Sequence, residues 1–167
     1  MRYLKKILFF ASFFLLMMGS RTNEIKPNEG IQLGNLAPEI NWQEINMKGD
    51  KFILLQFWTV VNPHSRLLNT QMHNAITNLE TENIRLVSVS FDENVAVFEG
   101  IVKTDRLVPE TQFIDTRGHK SEIFKTYRLK SGFTNLLINP EGVIVAKNVS
   151  PTDIRCHVER SETSENY

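Results

Sequence analysis

The apolar residues of this chain fall into runs and stripes of changing period. Segment 51–59, Lys-Phe-Ile-Leu-Leu-Gln-Phe-Trp-Thr, is almost continuously apolar and rich in strand formers, the pattern of a central strand covered on both faces. After Pro63 the spacing changes. Leu68, Met72, Ala75, Ile76 and Leu79 recur at i, i+4, i+7, i+8 and i+11, one stripe along a helix. Segment 84–91 is extended again, through Leu86, Val87, Val89 and Phe91. Strand, helix and strand in this order predict a right-handed parallel crossover.

Residues 92–103 predict a second helix, with Val97, Phe98, Ile101 and Val102 on its apolar side. A short extended piece at 112–115 ends in a turn at Thr116-Arg117-Gly118, and 121–127 reads as a short helix packing through Ile123, Phe124 and Tyr127. Segments 133–138 and 142–147 are strands joined by Asn139-Pro140-Glu141-Gly142, a hairpin signal. Ser150-Pro151-Thr152-Asp153 opens a last helix: a serine cap, a proline suited to the first helical position, and an acid at the positive end of the dipole. The order gives an α/β domain with a central mixed β-sheet flanked by helices, because the hairpin adds an antiparallel strand to parallel ones. No internal repeat or low-complexity block interrupts it.

The N-terminus stands apart. Arg2, Lys5 and Lys6 precede a stretch at 7–18 that is apolar apart from Ser12, a secretory signal pattern. The stretch is shorter than the roughly 20 residues a membrane span needs, so no stable membrane anchor is expected after cleavage near residue 20. No cysteine follows it, which argues against lipoprotein attachment. The organisation is therefore a signal peptide at 1–20, a polar tether at 21–33, a domain at 34–158 and a polar tail at 159–167. Export points to the periplasm. Hydrophobic content of 41%, charged content of 23% and a formal net charge of zero describe a globular domain and give no reason to expect a nucleic-acid partner. There is a single cysteine, Cys156, so no internal disulfide and no two-cysteine cycle is possible within the chain.

Four segments carry a resemblance when taken together. They are Gly34-Asn35-Leu36-Ala37-Pro38-Glu39-Ile40, Leu54-Leu55-Gln56-Phe57-Trp58-Thr59, Val87-Ser88-Val89-Ser90-Phe91-Asp92, and Leu137-Ile138-Asn139-Pro140-Glu141-Gly142-Val143-Ile144-Val145. In this order and spacing they resemble the thioredoxin-like superfamily, in its extracytoplasmic TlpA/ResA branch of thiol-disulfide oxidoreductases, which borders on the AhpC/TSA group. The resemblance spans about residues 34–147 and implies a thioredoxin-like fold.

It also implies a Cys-x-x-Cys dithiol at the head of the first helix. There the helix dipole lowers a thiol's pKa, and a second cysteine resolves the mixed disulfide. This chain has Asn62-Pro63-His64-Ser65 at that place. Asn62 holds the attacking position and Ser65 the resolving one, and an amide is no nucleophile. Aligning a Val-Cys-Pro peroxidase core instead puts Val61-Asn62-Pro63 there, again without the thiol. The family's cis-proline before the hairpin falls near Phe133, and no proline stands between Pro109 and Pro140. A non-proline cis bond costs about 3 kcal/mol, so a trans bond is expected there.

Other candidates are weaker. His64 and Ser65 are sequence neighbours with no acid placed to orient the histidine. The four histidines show no metal-ligand spacing, so neither a metal nor any other cofactor is expected. Cys156 reads as a small, semi-buried residue of the last helix. Trp58, Pro63, His64 and Phe133 are candidates for a binding groove. Two functions remain open. One is a redox-inactive module binding a peptide or protein partner in the periplasm. The other is a thiol-disulfide oxidoreductase or antioxidant protein working through Cys156 with a partner's thiol.

Overall fold

The computed structural model describes residues 28–40, 45, 49–79, 83–154 and 156–157. The signal segment at 1–20 and the tail at 159–167 lie outside them. The elements are β1 (Phe52–Trp58), α1 (Pro63–Thr77), β2 (Ile84–Ser90), α2 (Val95–Thr104), β3 (Gln112–Ile114), α3 (Glu122–Thr126), β4 (Asn135–Ile138) and β5 (Ile144–Lys147). They build one five-stranded sheet in the order β3-β2-β1-β4-β5. The pairs β1–β2 and β2–β3 are parallel, whereas β1–β4 and β4–β5 are antiparallel. The expected mixed sheet is present, with β1 at its centre.

Alternation along β1 explains its near-continuous apolar sequence. Ile53, Leu55 and Phe57 pack on one face with Val87, Val89, Leu136, Ile138 and Tyr127. On the opposite face Leu54 packs with Met72 of α1, and Trp58 packs with Phe98 and Val102 of α2. Leu54, Leu55, Phe57 and Trp58 are fully buried, each burial contributing about 2 kcal/mol. The stripe on α1 is real: Met72 is buried, and Leu68, Ala75, Ile76 and Leu79 pack around the same cluster. Arg66 of α1 holds Asp105, just beyond α2, through two hydrogen bonds of 2.7 and 2.6 Å.

Between these two apolar clusters runs a polar row that periodicity alone does not reveal. Asn135, Gln56, Ser88 and Gln112 stand in register across β4, β1, β2 and β3, and all are buried. Asn69 of α1 lies over them. Its amide donates to Gln112 at 3.1 Å and accepts from the Ser88 hydroxyl at 2.5 Å.

Three expectations are corrected. The second helix begins at Val95, because the Asn94 side chain accepts from the Val97 amide at 3.1 Å and caps it there; Asp92 stays outside. The extended pieces at 133 and 142 join the ladder only from Asn135 and Ile144. Cys156 is exposed, not semi-buried. The last helix is described only from Asp153, after a turn at 151–152 that Ser150 starts by accepting from the Asp153 amide at 3.2 Å. Its inward residue is the fully buried Ile154, and two residues on, at roughly 100° per residue, the side chain points to solvent.

The chain before β1 covers the hairpin. Leu36 bridges Val143, Gly34 donates to the Ile144 carbonyl at 2.9 Å and Ala37 to that of Gly142 at 2.9 Å. Residues 28–33 follow this edge: Gly30 donates to the Leu36 carbonyl at 2.9 Å, and the Lys147 ammonium donates to that of Ile31 at 2.8 Å. An otherwise open sheet edge is thereby closed.

Candidate functional site

The chain leaves the sheet at Trp58 and reaches α1 through Thr59, Val60 and Val61. One carboxylate holds this loop. Asp92 accepts from the Thr59 hydroxyl at 2.8 Å, from the Val60 amide at 2.9 and 3.1 Å, and from the Ser90 hydroxyl at 2.6 Å. Charge-assisted bonds of this kind are the strong ones. Asp92 is the residue that the helix expectation misplaced; the signal for it was its place at the end of the Val87–Asp92 motif.

Asn62 ends the loop as the N-cap of α1. Its backbone is extended (φ −105°, ψ 101°), and its side-chain oxygen accepts from the Ser65 amide at 2.9 Å. Pro63 follows at the first helical position, where its missing N–H costs nothing. Ser65 is buried. Its hydroxyl donates to the Asn62 carbonyl at 3.1 Å and accepts from the Thr59 amide at 3.3 Å. Positions 62 and 65 thus form a reciprocal cap that fixes the head of the helix. Among the described residues no base is bonded to the Ser65 hydroxyl. His64 is exposed, and so is Val61, at 84%.

Beside this cap lies an open cleft of about 970 Å³. Asn62 and Phe133 both line it, together with Phe124 and Leu129 on an apolar floor, the cations Lys125, Arg128 and Lys130, and the His119 imidazole. Its floor is the outer end of an aromatic run that starts in the core. The Phe57 and Tyr127 ring centroids are 4.8 Å apart, Phe91 meets Phe124 edge-on at 5.2 Å, and Phe133 lies 6.4 Å from Phe91 and 6.2 Å from Phe124. All peptide bonds among the described residues are trans, including those at Phe133.

The walls are fixed by buried polar contacts. Asp115 accepts from Arg117 Nε and Nη2 at 2.8 and 2.7 Å and from the Ser121 hydroxyl at 2.5 Å. Burial alone would raise this carboxyl, but the bonds from Arg117 and Ser121 outweigh it and hold it below its ordinary range. Ser121 in turn caps α3, accepting from the Phe124 amide at 3.4 Å. Gly118 packs so closely that a Cβ would sit 3.2 Å from Glu93 and 3.4 Å from the Phe91 carbonyl, at a φ of +57°. Beyond α3, Arg128 is left-handed (φ 54°) and Gly132 has a φ of 133°, turning the 129–131 segment around the cleft.

Of the sequence candidates, the fold brings Asn62 and Phe133 together in this cleft. Trp58 is not in it. That side chain is fully buried under α2, its ring 5.9 Å from Phe98, because its strand position alternates to the face opposite Phe57. Pro63, His64 and Cys156 do not line it either. Among the described residues no group of three His, Cys, Asp or Glu is placed to hold a metal. The sequence reading missed His119 and the cations at 125, 128 and 130, which are scattered over an unremarkable segment and converge only through the turn at 128–132.

No family model matches the sequence, and no curated protein matches it. Solved structures do. A thioredoxin-like protein from Parabacteroides distasonis is 37% identical, with a TM-score of 0.77 over 80% of this chain and 99% of that one. This chain belongs to the thioredoxin-like family. A thiol-disulfide oxidoreductase from Bacteroides fragilis (22% identity, TM-score 0.53, 66% of this chain and 81% of that one) and StoA from Bacillus subtilis (21%, 0.53, 64% and 81%) share the fold. This thioredoxin-like chain has one cysteine, exposed and away from the cleft.

Proposed function

We propose that this protein is a redox-inactive, exported member of the thioredoxin-like family that binds a peptide or protein partner in the periplasm through the cleft between Asn62 and Phe133. The observation that carries the reading is the reciprocal cap. The side chains at 62 and 65 are engaged with each other's backbone, and neither is a thiol. The apolar floor of Phe124, Leu129 and Phe133 supports binding, because a concave apolar surface with a polar rim is what a ligand buries. No helix among the described residues is long and apolar enough to cross a membrane. The basic head and apolar stretch at 7–18 support secretion.

The alternative rests on the exposure of Cys156. Its thiolate would attack a partner's disulfide, forming a mixed disulfide and releasing the partner's other sulfur as a thiolate. One experiment separates the two. The purified mature protein is expected to leave insulin disulfides intact and hydroperoxide unconsumed. Turnover above background that disappears in Cys156→Ala would establish the alternative.

A further inference from the structure

The cleft beside Asn62 has a charge as well as a shape. Its lining includes His119, Lys125, Arg128 and Lys130 and no acidic residue. Lys125 is engaged by Glu122 at 2.7 Å. The side chains of Arg128, Lys130 and His119 carry no hydrogen bond or ion pair with the described residues, and all three residues are exposed. The uncommitted Arg128 and Lys130 cations above a floor of Phe124, Leu129 and Phe133 call for a ligand with both properties. A bare inorganic anion would leave the aromatic floor wet. A purely apolar segment would leave the cations unmatched.

The floor is also firmly set. Phe133 is braced against Phe91 and Phe124, and the wall is tied by Asp115 to Arg117 and Ser121. Little ordering is needed at the moment of binding, which favours affinity. Gly132, at a φ of 133°, has no atom within 4 Å of where a Cβ would stand, so the backbone is open to close approach at the cleft wall.

From this complementarity we propose that the partner is an acidic peptide segment of another protein, with one aromatic or large aliphatic side chain seated on Phe124 and Phe133 and flanking carboxylates facing Arg128 and Lys130. The proposal rests on the peptide-binding reading above and names the chemistry of its ligand.

The test uses the mature protein and a labelled, end-blocked hexapeptide with one phenylalanine among glutamates. Its comparators are the same peptide with the glutamates changed to serine and with the phenylalanine changed to serine. Binding is read by fluorescence anisotropy and located by amide NMR shifts at Phe124, Gly132 and Phe133. The acidic peptide should bind about tenfold more tightly than the serine version at low salt, and the gap should close as salt rises from about 0.02 M to about 0.5 M. Reversing charge with Arg128→Glu and Lys130→Glu should abolish the preference. Arg128→Gly, which suits the left-handed backbone there, should weaken it should the double variant fold poorly. Equal affinity for the serine peptide at the same amides overturns the acidic ligand and leaves the peptide-binding reading standing. Binding indifferent to phenylalanine and displaced by inorganic polyphosphate makes the cleft a bare anion site, which also overturns the proposal. If none of the peptides shifts the cleft amides, the peptide-binding reading itself falls, and the proposal with it.

Discussion

Asn62 accepts from the Ser65 amide at 2.9 Å while Ser65 donates to the Asn62 carbonyl at 3.1 Å, so each residue satisfies a backbone group of the other. Amides at a helix start have no intrahelical acceptor, and α1 has no acid in its first turn to help. The cap at 62 therefore matters to stability. Asn62→Ala should lower the unfolding free energy by about 1 kcal/mol, whereas Asn62→Asp, which keeps the acceptor and adds a charge suited to the dipole, should match or exceed the native protein. Urea denaturation followed by circular dichroism checks both; an unchanged midpoint for Asn62→Ala would remove the cap from the account. At this scale sequence was a partial guide. The identities at 62 and 65 were plain, and so was their place at a helix start. The burial of Trp58 and the exposure of Cys156 were not, since each depends on which face of its element meets a neighbour. Asp92 shows the same limit. Its type fits a helix start, but Asn94 two residues on is the cap, leaving Asp92 free to hold the Val60 amide.

The helix α1 has two buried aspects of opposite character. The apolar one, Leu68 to Ile76 with Leu79 just beyond the helix end, was legible from period alone. The other is polar: Ser65, Asn69 and His73 are buried, and Asn69 bonds Ser88 and Gln112 of the polar row. Spacing marks such residues as a solvated face, and only a sheet that itself carries polar side chains in register makes them interior. His73 has a measurable consequence. Burial pushes its imidazole below the ordinary value of 6.5, so the folded protein keeps it neutral while the unfolded chain takes up a proton. The stability associated with the neutral ring is complete above about pH 6.5 and declines as pH falls from there toward the lower folded value. The urea midpoint should drop between about pH 7 and pH 5, and His73→Gln should flatten that slope whatever it does to absolute stability. A slope identical in the variant would show that other groups cause it. The carboxyl of Asp115, held low by Arg117 and Ser121, acts in the more acidic range and is untouched by this substitution.

At the scale of the whole molecule, the opening segment of the domain and the end of α3 are tied by a bond between residues far apart in sequence. The Tyr127 hydroxyl donates to the Pro38 carbonyl at 2.5 Å, across 89 positions of sequence. Tyr127 is 4% exposed, and its ring packs on Phe57 at 4.8 Å. Burial, helped by the charge of Glu29, pushes the phenol well above its usual value, so it remains a donor at neutral pH. Pro38 is itself buried, and its carbonyl would be left without this partner if the hydroxyl were removed. Tyr127→Phe keeps the ring and deletes the donor, a change that should cost about 1–3 kcal/mol. The loss should be uneven. The segment from Asn28 to Ala37 is held to the hairpin chiefly by backbone bonds at its margin, such as Gly34 to Ile144 and Ala37 to Gly142, whereas β1 is paired on both sides. Hydrogen exchange should therefore quicken at Gly34, Leu36 and Ala37 well before it does in β1, because segments with fewer buried contacts open first. The cleft should keep its shape, since its wall is set by Asp115, Gly118 and the turn at Arg128 rather than by the phenol oxygen. If exchange rises equally in β1 and at Ala37, the strap is part of the cooperative core; if neither changes, the Tyr127–Pro38 bond contributes nothing to holding the N-terminal segment in place.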